Sequence, residues 1–332
     1  MPQTSVPQAR IVVSIGGNAF ERAGQPLTMA SQFALAETML GALLPVLTGP
    51  DAVLLTHGNG PQVGNLLRRS DVASGLAYPV PLEVCVAESE GELGYVLMQA
   101  AYNVLAKAHC TRGVATLLTL VEVDAADPAF ATPTKPIGAV LTPAEVEALR
   151  ARGVPMALDA RRGWRRVVAS PRPLRVPGIA TLDALLRNDT LVIASGGGGV
   201  PVARTSNGGT ERLDGIAAVV DKDHTAALLA DALGAHLMLI VTAVPCVYRD
   251  YADTAKRTPL RTLRVAEAEA LARAGQFPAG TMGPKIDAAL HFLRGGPGRR
   301  VIVCAPEGIA AALAGAAGGT GTAETAGTLI EQ

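Results

Sequence analysis

Short apolar runs alternate with stretches of helical period along the chain. Residues 11–15, 52–56, 114–123, 191–195, 237–242 and 300–304 are rich in apolar side chains and read as strands. Helical patterns lie between them, including 224–233 and 284–292. The alternation predicts an α/β fold, a parallel sheet wrapped by helices. Nearly every predicted strand stops at glycine or another turn signal, as at Gly16-Gly17-Asn18, His57-Gly58-Asn59-Gly60 and Gly196-Gly197-Gly198-Gly199. Ligands of open α/β sheets bind outside the carboxyl ends of the strands. The glycine-bearing loops therefore predict one shared, backbone-lined crevice.

One stretch breaks the rhythm. Residues 127–177 hold eight prolines, an Arg-rich tract and the only Trp, with a helix-like piece at 143–150. This reads as a small projecting insertion, lid-like, within a domain spanning 10–332. The tail at 315–328, rich in Gly, Ala and Thr, reads as a turn leading to a last short strand or as a loose terminus.

Composition narrows the function classes. The 332 residues carry zero formal net charge, so there is no electrostatic case for nucleic acid or a membrane surface. Aromatic residues make up 3%, so the core has to be built mainly from Ala, Val, Leu and Ile. Residues 1–10 lack the pattern of a signal peptide, and no uninterrupted apolar run has bilayer-spanning length. Cys85, Cys110, Cys246 and Cys304 show neither metal-ligand spacing nor a disulfide framework. Cys246 and Cys304 read as buried thiols, and a reduced, cytoplasmic setting is expected. Arg161, Arg162, Arg165 and Arg166 flank Trp164 and read as a local anion-facing loop or a solvated face.

The cations point to chemistry. Five lysines stand against 24 arginines, and three of the five sit in defined motifs: Lys135 in Thr-Pro-Thr-Lys-Pro-Ile-Gly, Lys222 in Asp-Lys-Asp and Lys285 in Met-Gly-Pro-Lys. Lys is a compact point charge and Arg a broad fork. Around a small transferring phosphoryl group, point charges converge where forks collide.

The surrounding motifs fit anion binding. Gly16-Gly17-Asn18 after a strand offers backbone N–H groups at close approach, though taken alone such a pair is more often a tight turn, and it lacks the spaced glycines of a dinucleotide fingerprint. In Thr56-His57-Gly58-Asn59-Gly60-Pro61, a proline opening a helix leaves free N–H donors at its start. His57 has no Ser or Cys nucleophile to pair with and is assigned no acid–base role. Asp223 fits the N-cap of the 224–233 helix and could also hold lysines by charge-assisted hydrogen bonds. Lys285, on the first turn of the 284–292 helix, is disfavoured by the macrodipole, so a compensating anion nearby is expected.

Taken in order, these motifs, together with Ala87-Glu88-Ser89-Glu90-Gly91-Glu92-Leu93-Gly94-Tyr95 and Gly163-Trp164-Arg165-Arg166-Val167-Val168, resemble the amino-acid kinase superfamily and its carbamate kinase branch over nearly the whole chain. The resemblance implies a three-layer αβα sandwich around a mainly parallel sheet, a homodimer, and an inserted subdomain at 127–177. It implies reversible phosphoryl transfer between Mg-ATP and carbamate, giving ADP and carbamoyl phosphate, usually run towards ATP synthesis as in arginine metabolism. Mg²⁺ would be carried by the nucleotide, with no protein metal ligands. On the resemblance, Lys222 and Lys285 meet the transferring phosphoryl group, Asp223 holds those lysines, and Lys135 closes over the group from the insertion. Gly16, Gly17 and Asn18 would bind phosphate, and Gly58, Asn59 and Gly60 carbamate. Gly197, Gly198, Thr242, Ala243, Tyr248, Met282 and Gly283 would bind the nucleotide.

The chain departs from the pattern after the fifth predicted strand. Thr242-Ala243-Val244-Pro245 stands where the family usually has Thr-Asp-Val and a further acidic residue. Ala243 and Pro245 remove two polar positions, and Pro245 also removes an N–H donor. An altered nucleotide or substrate, or a non-catalytic ligand-binding regulator, are the alternatives this departure raises. The match over Asn207 to Glu211 is likewise loose.

Overall fold

The computed structural model describes residues 9–20, 27–159, 163–207, 209–278, 280–316 and 326–332. Strand β1 (Arg10–Ile15) is followed by α1 (Met29–Ala42), the short α2 (Leu44–Leu47) and β2 (Ala52–His57). Helices α3 (Gly60–Val72) and α4 (Leu82–Lys107) lead to β3 (Gly113–Leu117) and β4 (Leu120–Val123). Next come β5 (Lys135–Ile137), α5 (Pro143–Ala151), β6 (Met156–Asp159), β7 (Gly163–Val168) and β8 (Pro173–Arg175). The chain runs on through α6 (Ile179–Arg187), β9 (Thr190–Ala194), β10 (Val200–Asn207), β11 (Thr210–Gly215), α7 (Lys222–Ala232) and β12 (Leu237–Val241). It ends with β13 (Val247–Arg249), β14 (Thr258–Leu260), β15 (Thr262–Arg264), α8 (Val265–Arg273), α9 (Met282–Arg294), β16 (Arg300–Cys304), α10 (Ile309–Ala316) and β17 (Thr328–Glu331).

The large sheet has the order β15-β17-β16-β12-β1-β2-β9-β3. Its pairs are parallel except β16 with β17. Alternate strand residues serve opposite faces. Val12 and Leu54 pack with Leu229 and Phe292 of α7 and α9, while Val13 and Leu55 pack with Leu40 and Leu97 of α1 and α4. A sheet covered on both faces needs strands that are apolar throughout, and this is the αβα sandwich.

One expectation is corrected. The run at 114–123 is two strands: β3 stays in the large sheet beside β9, while β4 pairs with β10 in a second sheet, β11-β10-β4-β8. The break falls at Leu118-Thr119-Leu120, where both leucines are exposed, so apolar residues continue across it and leave it unmarked in the sequence. Of the two readings of the tail, the last short strand is the one found: β17 returns antiparallel beside β16.

Strands β5, β7 and β6 form a small antiparallel sheet carrying α5. Ile137 and Val168 pack with Val63 and Val86 of α3 and α4. The backbone amide of Gly138 donates to Gly60 O at 3.0 Å. A Cβ on Gly64 would lie 2.0 Å from Gly138 Cα, so this crossing of chains requires glycine. Asp71 of α3 accepts from Arg152 at 2.8 Å and Arg166 at 3.0 Å. Cys85, Cys246 and Cys304 are buried free thiols. Among the described residues no helix is long and apolar enough to cross a membrane. Arg161 and Arg162 lie outside the described residues.

Candidate active site

Helix α7 begins at the carboxyl-end edge of the sheet, and its first turn builds the centre of the site. Asp221, not Asp223, is the N-cap: its Oδ1 accepts from the Asp223 amide at 2.9 Å. Asp223 therefore lies inside the first turn, and its carboxylate is free to serve the lysines. Lys222 Nζ lies 2.5 Å from Asp223 Oδ1, and Lys285 Nζ, from α9, 3.0 Å from Oδ2. Ser14, at the end of β1, donates to Asp223 Oδ1 at 2.7 Å and accepts from Lys222 at 3.0 Å. The compensating anion for the badly placed Lys285 is thus Asp223.

Burial alone would raise the Asp223 carboxyl, but the two ammonium groups outweigh it and hold the group well below the usual range. Lys285 is pulled down by burial and more than restored by Asp223, so its pKa is raised. Lys222 is lowered, because burial and neighbouring Lys285 outweigh its bond to Asp223. The shared carboxylate leaves a compact cluster with a surplus of one positive charge.

Lys135, on β5, reaches back to Asp221 Oδ2 at 3.0 Å and Val220 O at 3.3 Å. Burial would raise Asp221, yet Lys135 heads the charges that bring it down to about 2.

Two cavities meet over this cluster. The larger, about 600 Å³, is lined by Gly16, Gly17, Thr242, Ala243, Tyr248 and Met282 among others. The smaller, about 200 Å³, is lined by Gly58, Asn59, Gly60, Lys135, Arg165 and Asp221. Gly17, Lys222, Thr281 and Lys285 line both.

The remaining candidates are placed as follows. The Gly16 amide donates to Val241 O at 2.9 Å and so is not free for an anion. Asn18 falls in the 3-10 turn Gly17–Phe20. Gly197 lines the smaller cavity rather than the larger: a Cβ there would come 2.0 Å from the Asn59 amide nitrogen. Gly198 gives its carbonyl to Thr225 Oγ1 at 2.9 Å. Gly283 donates to Pro278 O at 2.9 Å and lines neither cavity, whereas its neighbour Met282 lines the larger. His57 is fully buried, and burial brings its imidazole down to about 4, so it is neutral at pH 7 and carries no charge into the site.

Three neighbours were missed by sequence reasoning. Ser14 is the single polar residue in an apolar strand, which was its signal. Asp221 belongs to the quoted Asp-Lys-Asp motif, and Arg165 to the tract read as anion-facing. Arg165 holds Gly138 O at 2.7 and 3.1 Å.

A glycine-walled crevice at the carboxyl ends of parallel strands, with two cavities joined by lysines on one carboxylate, defines a small-molecule phosphotransferase site. Residues 9–305 match the model of the amino acid kinase family, and the chain belongs to that family. Relatives within it are named carbamate kinases or carbamate kinase-like proteins. It is 39% identical to Carbamate kinase 1 of Enterococcus faecium over 90% of this chain and 94% of that protein. It is equally 39% identical to Carbamate kinase-like protein YahI of Escherichia coli, over 93% of this chain and 97% of that protein. Carbamate kinase from Giardia lamblia bound to AMP-PNP superposes with a TM-score of 0.85 at 33% identity, covering 98% of this chain and 99% of that one.

Proposed function

We propose that the chain is a carbamate kinase, catalysing reversible phosphoryl transfer between ATP and carbamate, and that the junction of the two cavities is where the group passes. The carrying observation is that Lys222 and Lys285 line both cavities while sharing Asp223. The larger cavity has room for a nucleotide, and the smaller suits a molecule of carbamate's size.

Towards ATP, a β-phosphate oxygen of ADP forms a bond to phosphorus as the bond from phosphorus to the carbamate oxygen breaks, and carbamate leaves as an anion. No proton has to move, so no general base is required. The chain's task is positioning and charge stabilisation. Lys222 and Lys285 stand at the in-line junction, fixed by Asp223, where negative charge accumulates on the transferring oxygens. Lys135, held on Asp221, and Arg165 bring two further cations to the carbamate side. Asn59 and the start of α3 offer hydrogen-bond donors to the carboxyl end. The insertion bearing Lys135 would act as a lid.

Among the described residues no group of three or more His, Cys, Asp or Glu is placed to hold a metal ion, and Asp221 and Asp223 are occupied by lysines. Mg²⁺ would be carried on the nucleotide phosphates, where it would neutralise charge. We place the enzyme in the cytoplasm, running towards ATP in arginine breakdown. A homodimer is supported by the exposed apolar face of α4, where Val84, Tyr95 and Tyr102 recur on one side.

Ala243 and Val244 bring no carboxylate to the larger cavity. An altered nucleotide preference is the second reading this favours. The test of the main one is ATP formation from ADP, Mg²⁺ and carbamoyl phosphate above spontaneous decay. Turnover with ADP supports it. A folded protein inactive with ADP but active with another nucleoside diphosphate would favour the second.

A further inference from the structure

Glu90 lies on α4 and is 2% exposed. Its two oxygens take backbone N–H groups from two loops: Gly196 donates to Oε1 at 2.9 Å and Thr119 to Oε2 at 3.2 Å. These are the points where the chain leaves the large sheet for the second sheet, from β9 to β10 and from β3 to β4. Glu90 is bonded to both crossings, which are also tied to each other by Ser195 N on Thr119 Oγ1 at 3.0 Å and Val200 N on Thr119 O at 2.8 Å.

The Gly196 loop has a function to transmit. Gly197, at φ 67°, sits against the Asn59 side chain so closely that no Cβ would fit. From the other side, Asn59 Nδ2 donates to Ser89 Oγ at 2.7 Å, and Ser89 is Glu90's neighbour on α4. One turn of helix thus grips Asn59 twice, directly through Ser89 and indirectly through Glu90 and the glycine loop.

We infer that Glu90 is a positioning residue for the carbamate side of the site, holding Asn59 in register through the loop at Gly196 and Gly197. The inference rests on the carbamate kinase reading above for the identity of the substrate, while the brace itself is a matter of structure. Burial pushes the Glu90 carboxyl up to about 8, while the loop N–H groups that it accepts pull it back down. The larger cavity is lined by none of Glu90, Ser89, Asn59 or Gly197, so the brace touches the carbamate side directly and the nucleotide side only through neighbours.

The test is Glu90→Gln in the full chain. An amide keeps one acceptor oxygen and turns an N–H₂ towards the other loop donor, so one of the two anchors is lost. The KM for carbamoyl phosphate should rise about three- to tenfold, the worth of one hydrogen bond, with the KM for ADP within about twofold. Glu90→Asp, which restores two oxygens on a shorter stem, should recover part of the effect. Amide hydrogen exchange over residues 56–62 is read in the same variants and should quicken in Glu90→Gln. Exchange needs no turnover, so it supports or overturns the brace even if the wild type makes no ATP, a failure that would count against the carbamate reading alone. Should Glu90→Gln not fold, Ser89→Ala removes the direct grip and should raise the same KM. Equal losses on both substrates in step with a lowered Tm, or unchanged exchange at 56–62, would overturn the proposal.

Discussion

At the scale of single residues, one carboxylate manages two buried ammonium groups. Removing Asp223 leaves Lys222 and Lys285 buried together without their partner, and Asp223→Ala should destabilise the protein by about 3–5 kcal/mol. Lys222→Ala leaves Asp223 still bonded to Lys285 and Ser14, so the loss should be smaller, about 1–3 kcal/mol. Denaturant titration of the two variants checks that order. The pH dependence has a definite sign. Asp223 is depressed in the folded state, so its contribution is present above pH 4 and is lost as the solution is acidified through the folded value. Glu90 is raised to about 8, so its contribution is full below about pH 4.5 and is lost as pH climbs to 8. Glu90→Gln should flatten the alkaline side of the stability profile, read by urea midpoints between pH 5 and 9, and an unchanged slope would contradict the burial argument. The lysines were legible because Lys is rare in this chain and motif-bound. The cap was not, because Asp221 and Asp223 flank the same lysine and the two possible helix starts differ by two residues, within ordinary boundary uncertainty.

At the scale of elements, the glycine loops at the ends of β1, β2 and β9 were readable because a buried strand that stops at glycine has one simple use. Which loop serves which cavity was not readable. Gly197 approaches Asn59 through a crossing between two sheets, and the apolar run from 114 to 123 gives no sign of that crossing. The segment carrying Lys135 is held to α3 by Asp71, which takes both Arg152 and Arg166. These groups are partly exposed, so Asp71→Ala should cost less than about 1 kcal/mol of global stability. It should nevertheless speed proteolysis within residues 135–168 and raise the KM for carbamoyl phosphate, because Lys135 rides on the same small sheet. A variant with wild-type cleavage and KM would show that packing around Ile137 and Val168 suffices to hold the segment.

At the scale of the whole molecule, the sheet and its two helical layers follow from strands apolar on both faces, and this was visible in the first pass along the chain. The dimer is an expectation of a different kind. Val84, Tyr95 and Tyr102 leave α4 with an apolar outer face. Sedimentation equilibrium should give a dimer for the wild type and a single chain for Tyr95→Asp with Tyr102→Asp, and a monomeric wild type would remove that reading. The central claim is that the phosphoryl group passes at the junction of the two cavities, over lysines held by Asp223. Its most direct test is single-turnover ATP formation by Lys222→Ala beside the wild type, with ADP binding measured on the same preparations. The rate should fall by about 10²–10³-fold, the usual loss on removing one transition-state donor, with ADP affinity changed only a few-fold. A Lys222→Ala variant that forms ATP at the wild-type rate would contradict it.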